Sequence, residues 1–141
     1  MLDHVPHAKA VGLSVVSVER GAAVLKLPYN DNLVGNPDTG VVHGGVITTL
    51  LDNCCGIAVG ASLNEMRPIA TLDLRIDYMK PATPKEDILA RAECYKVTAN
   101  IAFVRATAYH TDISDPIATA VGAFMLNTAI VRPPKPEGGV S

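Results

Sequence analysis

The chain has 141 residues, a formal net charge of −2 and a hydrophobic content of 48%. This length allows one domain with a substantial core and is too short for two ordinary domains. Acidic and basic residues are scattered along the chain, so the charge pattern predicts neither a nucleic-acid-binding surface nor a polybasic face for a membrane.

The N-terminus and the cysteines indicate a cytoplasmic protein. The first ten residues lack a basic start and an apolar signal core, and the longest apolar run is interrupted by Asp52 and Asn53. Cys54 and Cys55 are adjacent in a predicted helix and Cys94 lies in a predicted strand, which is typical of buried, reduced thiols. We therefore expect no disulfide framework and no metal site.

Two strands are predicted near the start of the chain. The run LSVVSVERGAAVLKL, residues 13–27, contains two β-branched segments joined by the tripeptide ERG, as in a hairpin with a short turn. Residues 1–10 are expected to form a short helix or loop. Residues 28–40 are rich in Pro, Asn, Asp and Gly, which predicts an irregular loop and a candidate binding loop.

A long helix is predicted next, beginning between residues 44 and 46 and ending near residue 62. Its apolar residues occupy every face of a 3.6-residue period, so we expect the helix to be surrounded by protein. Asp52 lies within this apolar run, where a carboxylate needs partners or a chemical purpose. His43, Gly44 and Gly45 stand where the first free backbone N–H groups of the helix would point.

Four strands are predicted after the helix, and they cover Ile69–Met79, Ile88–Thr98, Ile101–Thr111 and Ile117–Asn127. Short connections between them predict antiparallel pairing in sequence order. Residues 131–141 have too little apolar content to pack, so we expect a single domain over residues 1–130 followed by a disordered tail.

Alternation in the first of these strands predicts its two faces. One face is expected to carry Leu72, Leu74, Ile76 and Tyr78, and the other Thr71, Asp73, Arg75 and Asp77. That strand should therefore be half exposed or should line a polar site.

The predicted elements define an α+β fold. A sheet of about six antiparallel strands has to curl around one long helix in order to cover it. Because a single helix leaves part of the sheet's other face or edge uncovered, a second copy of the chain is expected to complete the assembly.

Three segments carry a resemblance to a known family. VVHGGVITTLLDN, the preceding VGLSVVSVERGAAVLKLP and the strand TLDLRIDYMKPA resemble the hotdog-fold acyl-CoA thioesterases, in particular their phenylacetate-pathway (PaaI-like) branch, over about residues 5–127. The resemblance implies a curved antiparallel sheet wrapped around a central helix, and a homo-oligomer that is a dimer or a dimer of dimers. It also implies hydrolysis of a thioester between an acyl group and coenzyme A or an acyl-carrier protein, with no cofactor.

The resemblance also implies roles for individual residues. By position, the Gly44 N–H polarises the thioester carbonyl, Asp52 is the catalytic carboxylate, and Thr71 helps to hold the attacking water. Asn36 corresponds to the Asn or Gln that the family carries before HGG, with a spacing to His43 one residue longer than the usual form.

These residue types suit thioester hydrolysis. Negative charge develops on the carbonyl oxygen, and a backbone N–H at a helix N-terminus stabilises it with a fixed dipole. Glycine at positions 44 and 45 lets a substrate approach the backbone without meeting a Cβ atom. Asp52 can act as a general base on water or as a nucleophile, and His43 either takes part in catalysis or braces the loop.

The helix rise adds a prediction about assembly. Gly45 and Asp52 are about 10 Å apart along the helix axis, whereas both groups have to act within about 3 Å of one reacting centre. Asp52 of one subunit is therefore expected to meet Gly44 and His43 of the partner subunit.

Other interpretations are open at this stage. A hydratase or dehydratase of acyl thioesters would use a His and carboxylate pair, which His43 and Asp52 could imitate. A non-catalytic acyl-CoA-binding module is the third possibility. A purely structural role for Asp52 would pair its carboxylate with a backbone N–H, with Arg75 or with Arg105.

Overall fold

The computed structural model describes residues 12–29, 34–36, 41–42 and 44–127. Its elements, in chain order, are β1 (Ser14–Glu19), β2 (Ala22–Leu27), β3 (Val34–Asn36), β4 (Val41–Val42), α1 (Gly44–Ser62), β5 (Ile69–Tyr78), β6 (Ile88–Val97), β7 (Ile101–Tyr109) and β8 (Ala118–Leu126). The helix and the six long strands begin and end within two residues of the predicted bounds. The predicted N-terminal helix or loop and the predicted C-terminal tail lie outside the described residues.

The segment before the helix contains more regular structure than the sequence predicted. Residues 34–36 form β3, which pairs antiparallel with β4 through Val34 and Val42 and through Asn36 and Val41. Valine favours extended backbone, so these short stretches can pair although the surrounding residues are typical of a loop. The prediction of an irregular loop over residues 28–40 is therefore wrong for residues 34–36.

The long strands form one antiparallel sheet in the order β1-β2-β6-β7-β8-β5. The prediction that the last four strands pair in sequence order is wrong for β5, which pairs with β8 along its whole length, from Ile69 opposite Leu126 to Tyr78 opposite Ala118. Strand β6 already has β2 and β7 as its neighbours. Residues 79–87 therefore carry the chain across the sheet, and this connection is longer than the 2–5 residues typical of hairpin loops.

Helix α1 packs against one face of this sheet, and small side chains on the strands allow a close approach. Alanine dominates the buried positions beneath the helix on strands β6, β7 and β8, namely Ala90, Ala92, Ala102, Ala106, Ala108, Ala118 and Ala120. The helix fills the space with larger side chains, including Leu50, Leu51 and Val59, which are fully buried. Large residues on the helix and small ones on the strands interdigitate into one core.

The helix is not surrounded on every side within one chain. Its buried residues face the sheet, whereas Gly44, Gly45 and Gly60 are exposed and Asp52 is half-buried. The expectation of a fully enclosed helix therefore differs from the structure, since one sheet covers only one side of a helix. By length and composition α1 could also cross a membrane. Its packing as the core helix accounts for the apolar residues that give it this character.

Candidate active site

A β-bulge in β5 determines which side chains reach the helix. Thr71 pairs with Phe124 and Asp73 pairs with Ala123, so Leu72 is the extra residue between them. Paired residues on antiparallel strands share a face, and Phe124 is buried beneath the helix. The bulge thus moves Thr71 onto the helix side, where strict alternation had predicted the opposite face.

The bulge brings Thr71 to the carboxylate of the central helix. Thr71 Oγ1 donates a hydrogen bond to Asp52 Oδ1 at 3.0 Å. The alternative partners lie elsewhere, because Arg75 pairs with Asp77 at 3.4 Å and Arg105 pairs with Glu93 at 3.7 Å. The contact to Asp52 is therefore a hydroxyl contact, and Asp52 remains half-buried.

The first turn of the helix is held by two hydroxyl groups. The Gly44 carbonyl oxygen lies 2.9 Å from Tyr78 Oη and 3.2 Å from Thr48 Oγ1, both within hydrogen-bond distance. The two hydroxyl oxygens are 2.7 Å apart. Tyr78 lies at the end of β5, so the same strand contacts the helix at Asp52 through Thr71 and at the helix N-terminus through Tyr78.

Packing within the chain does not require glycine at position 44. A Cβ atom there would lie 3.9 Å from Tyr78 Oη, an ordinary contact distance, and Gly44 does not have a positive φ. The residue is exposed. Its lack of a side chain therefore keeps the backbone at the helix N-terminus open to an approaching group.

Among the described residues, two clefts adjoin the helix. One of about 400 Å³ lies at its N-terminus and is lined by Gly44, Ile47, Tyr78 and residues 79–82. The other, of about 380 Å³, lies at its C-terminal end and includes Gly56, Gly60 and Leu63. The first cleft places an apolar wall and the Tyr78 ring beside the open backbone of Gly44.

The two contacts that β5 makes with the helix, at Gly44 and at Asp52, lie far apart along the helix axis. Gly44 and Asp52 are eight residues apart, or about 12 Å along the helix axis. One chain therefore brings Asp52 and Thr71 together but leaves Gly44 and Gly45 too far away to act on the same atom. The structure describes the backbone of Asn36 in β3 but not its side chain, and His43 lies outside the described residues.

Sequence reasoning missed Thr48 and Tyr78. Tyr78 stands in the predicted alternation with Leu74 and Ile76, so its place on the helix side could have been anticipated. Thr48 lies one helical turn after Gly44, at the spacing from which a threonine hydroxyl reaches back to a carbonyl. The contact between them depends on where β5 crosses the helix, which the local pattern does not encode.

The cysteines next to Asp52 are core residues. Cys54 and Cys55 are fully buried, and burial raises the pKa of the Cys54 thiol to about 12 and that of Cys55 further in the same direction. A thiol with so high a pKa is a poor nucleophile at neutral pH. Among the described residues, no group of three or more His, Cys, Asp or Glu side chains is arranged to hold a metal ion.

A curved sheet of six antiparallel strands packed on one long helix defines a hotdog fold. Residues 39–117 match the family model of the thioesterase superfamily. The chain belongs to the thioesterase superfamily and is a thioester hydrolase.

Similar proteins agree with this assignment. The medium/long-chain acyl-CoA thioesterase YigI of Escherichia coli is 28% identical over 136 residues, which cover 87% of this chain and 86% of YigI. A Pseudomonas aeruginosa protein of known crystal structure is 48% identical, with a TM-score of 0.81 and coverage of 88% of this chain and 92% of that one. The Escherichia coli PaaI protein, from the phenylacetic acid degradation operon, shares the fold with a TM-score of 0.80 at 18% identity, covering 92% of this chain and 89% of PaaI.

Proposed function

We propose that the protein hydrolyses acyl- or aryl-CoA thioesters to the free acid and coenzyme A, with Asp52 as the catalytic carboxylate. The hydrogen bond from Thr71 to Asp52 is the observation that carries this proposal. The bulge in β5 is required to form this hydrogen bond. The hydrogen bond fixes a half-buried carboxylate on the helix of a chain that belongs to the thioesterase superfamily. The acyl-CoA substrate is supported by the name of YigI.

Thr71 orients the carboxylate and leaves it able to react. A hydroxyl group has one proton to donate and two lone pairs that accept. While the Thr71 hydroxyl donates its proton in the hydrogen bond to Asp52 Oδ1, its oxygen can still accept a hydrogen bond from the attacking water. The oxygen atom Oδ2 of Asp52 then faces the reacting centre.

Asp52 serves one of two routes. As a general base it takes a proton from water, the water oxygen bonds to the carbonyl carbon, and the carbon–sulfur bond breaks to release the coenzyme A thiolate, which is then protonated. As a nucleophile its carboxylate oxygen attacks the carbonyl carbon, the thiolate leaves, and water hydrolyses the resulting anhydride. In both routes the Gly44 N–H stabilises the negative charge on the carbonyl oxygen.

The site is shared between subunits in this proposal. About 12 Å of helix separates Gly44 from Asp52, so the Gly44 N–H that serves Asp52 comes from the partner subunit. His43 and Asn36 are candidate site residues beside it, and Gly45 lets the substrate approach. The exposed helix face and the open edge of β5 support a homodimer or a dimer of dimers.

A cytoplasmic location is consistent with the thiols. Cys54, Cys55 and Cys94 are all free. Reduced cysteines are the norm in the cytoplasm. The substrate is a small molecule, and the proposed chemistry needs no cofactor beyond the coenzyme A that the substrate carries.

A thiol-release assay tests the function. The purified protein is incubated with aryl-CoAs and with short- to long-chain acyl-CoAs, beside Asp52→Asn, Thr71→Val and Thr71→Ser. We expect Asp52→Asn to lower kcat by about 10²–10⁴-fold, the range for loss of a general base. Thr71→Val should lower kcat less than Asp52→Asn does. Thr71→Ser should retain most of the parent kcat because serine keeps the hydroxyl.

Asp77→Asn is the matched control, since Asp77 lies on the same strand, faces away from the helix and pairs with Arg75. It should retain the parent activity. A parent-like rate for Asp52→Asn would contradict the assignment of Asp52. Turnover of an enoyl-CoA without thiol release would favour the hydratase alternative, and binding without any turnover would favour a binding module.

Isotope labelling tests for the nucleophilic route. In a single turnover in H₂¹⁸O with enzyme in excess, a general base places ¹⁸O from water in the product acid and leaves Asp52 unlabelled. A nucleophilic carboxylate gives the same result if water attacks the acyl carbon of the anhydride, but if water attacks the Asp52 carbonyl carbon the acid carries ¹⁶O from Asp52 and the ¹⁸O stays on Asp52. Mass spectrometry of both the acid and the Asp52 peptide detects this exchange, and ¹⁸O on Asp52 identifies the nucleophilic route.

A further inference from the structure

The hydroxyl groups of Tyr78 and Thr48 form a chain that ends on the Gly44 carbonyl oxygen. Three contacts join these atoms, but two hydroxyl groups supply only two protons. The shorter pair of contacts, 2.7 Å between the hydroxyls and 2.9 Å from Tyr78 Oη to Gly44 O, accounts for both protons. Thr48 then donates to Tyr78, and Tyr78 donates to Gly44.

Two consecutive glycines make the start of the helix intrinsically loose. Glycine loses more conformational freedom on ordering than any other residue, so Gly44 and Gly45 lose more backbone freedom on entering the helix than alanine would at the same positions. The first N–H groups of any helix have no acceptor within the helix itself. Contacts from outside the helix therefore contribute to their orientation, and the hydrogen bond from Tyr78 to the Gly44 carbonyl is one of these contacts.

We propose that Tyr78 is a positioning residue for thioester hydrolysis, which holds the Gly44 carbonyl from β5 and so fixes the direction of the N–H groups in the first helical turn. This inference rests on the proposed function, in which the Gly44 N–H stabilises the developing oxyanion. Stabilisation of that kind depends on donors that are already oriented before charge develops.

Tyr78 acts on the reacting centre through the backbone. Its hydroxyl holds the carbonyl of Gly44, the residue whose own N–H is the proposed oxyanion donor. The Thr48 hydroxyl, 2.7 Å from that of Tyr78, supports this contact.

Tyr78→Phe tests the proposal, because it keeps the ring and removes only the hydroxyl. We expect kcat to fall by about tenfold, less than the 10²–10³-fold cost of deleting an oxyanion donor itself. KM should stay within about twofold, since the restraint matters most when charge develops. Thr48→Val should show a smaller loss of kcat in the same direction, and Thr48→Ser should recover it.

Tyr95→Phe is the matched control. Tyr95 is 49% exposed, close to the 51% of Tyr78, and its ring stacks under Arg105. It lies away from the helix N-terminus, so the loss of its hydroxyl should leave kcat unchanged. An unchanged kcat in Tyr78→Phe would overturn the proposal, as would a rise in KM alone, which would instead indicate that the hydroxyl contacts the substrate.

A second readout does not depend on turnover. Amide hydrogen exchange at Thr48, whose N–H bonds to the Gly44 carbonyl along the helix, should accelerate by about tenfold in Tyr78→Phe if the hydroxyl restrains this turn, as followed by NMR without substrate. Unaltered exchange would refute the restraint even if no acyl-CoA were hydrolysed. Failure of the proposed function would show separately, as a parent protein without activity or as a fully active Asp52→Asn.

Discussion

Gly122 offers a test of the bulge on which the candidate site depends. This residue lies in β8 opposite Leu74 of β5 and beside Val104 of β7. A Cβ atom at position 122 would lie 2.9 Å from Leu74 Cδ1 and 3.0 Å from the Asp73 carbonyl oxygen. The end of a leucine side chain can move aside, but a backbone carbonyl within the bulge moves only with the strand.

The expected cost of Gly122→Ala follows from these distances. Both contacts are shorter than side chains normally make, so β5 has to shift away from β8 by a few tenths of an ångström. Forcing an extra methyl group into a packed interior costs about 1–3 kcal/mol. For a chain of this size that corresponds to a fall in Tm of about 3–10 °C. Because the shift is centred on the bulge, the Thr71 hydroxyl should also move from Asp52, and kcat should fall several-fold.

Thermal melting and the thiol-release assay measure the two effects, at one fixed protein concentration because an oligomer's Tm depends on concentration. Gly60→Ala is the contrasting variant, since no atom lies within 4 Å of the added methyl group and the residue is in the helix. It should stabilise the protein by about 0.5–1 kcal/mol. A Gly122→Ala protein with the parent's Tm and kcat would refute the argument that glycine at position 122 maintains the bulge.

Alkylation and acid stability provide two further tests. Because burial raises the pKa values of Cys54 and Cys55, iodoacetamide at pH 8 should label neither thiol in the native protein. Mass spectrometry should find label on no cysteine except Cys94 until denaturant is added. Labelling of Cys54 in the native protein would contradict the buried helix. The Tyr29 N–H donates to Asp87 at 2.8 Å and lowers the pKa of that carboxyl below its ordinary value of 3.8. The ionised Asp87 carboxylate therefore contributes to stability above pH 4, and this contribution is lost as the pH falls through the lowered pKa. In Asp87→Asn the free energy of unfolding should fall less steeply with decreasing pH, by a difference of less than about 1 kcal/mol because the carboxylate is exposed. Identical acid limbs in urea titrations of the two proteins would contradict this coupling.

The resemblance and the local pattern together predicted the family and the bounds of the long elements. Apolar periodicity gave the bounds of the helix, and the HGG motif with Asp52 eight residues after Gly44 indicated thioesterase chemistry, which the family match confirmed. Thr71 was named as a site residue from the resemblance, although alternation along its strand placed it on the wrong face. The roles of these residues in catalysis remain proposals.

The bulge shows why alternation failed at Thr71. A strand's sequence specifies which residues alternate, but the insertion of Leu72 depends on how β5 meets its neighbour. That neighbour is β8, some fifty residues away in the chain, and its Gly122 leaves the space that Leu74 and the Asp73 carbonyl occupy. Only the pairing of the two strands brings these requirements together.

The local sequence pattern specifies the types and limits of the helix and the six long strands, because hydrophobic periodicity and turn residues act over a few neighbouring positions. The tertiary structure alone decided the strand order, the pairing of β5 with β8, and the contacts of Thr71 with Asp52 and of Tyr78 with Gly44. These features join residues that are 19 or more positions apart, and their energies are set by packing across the core, for which the local pattern carries no signal.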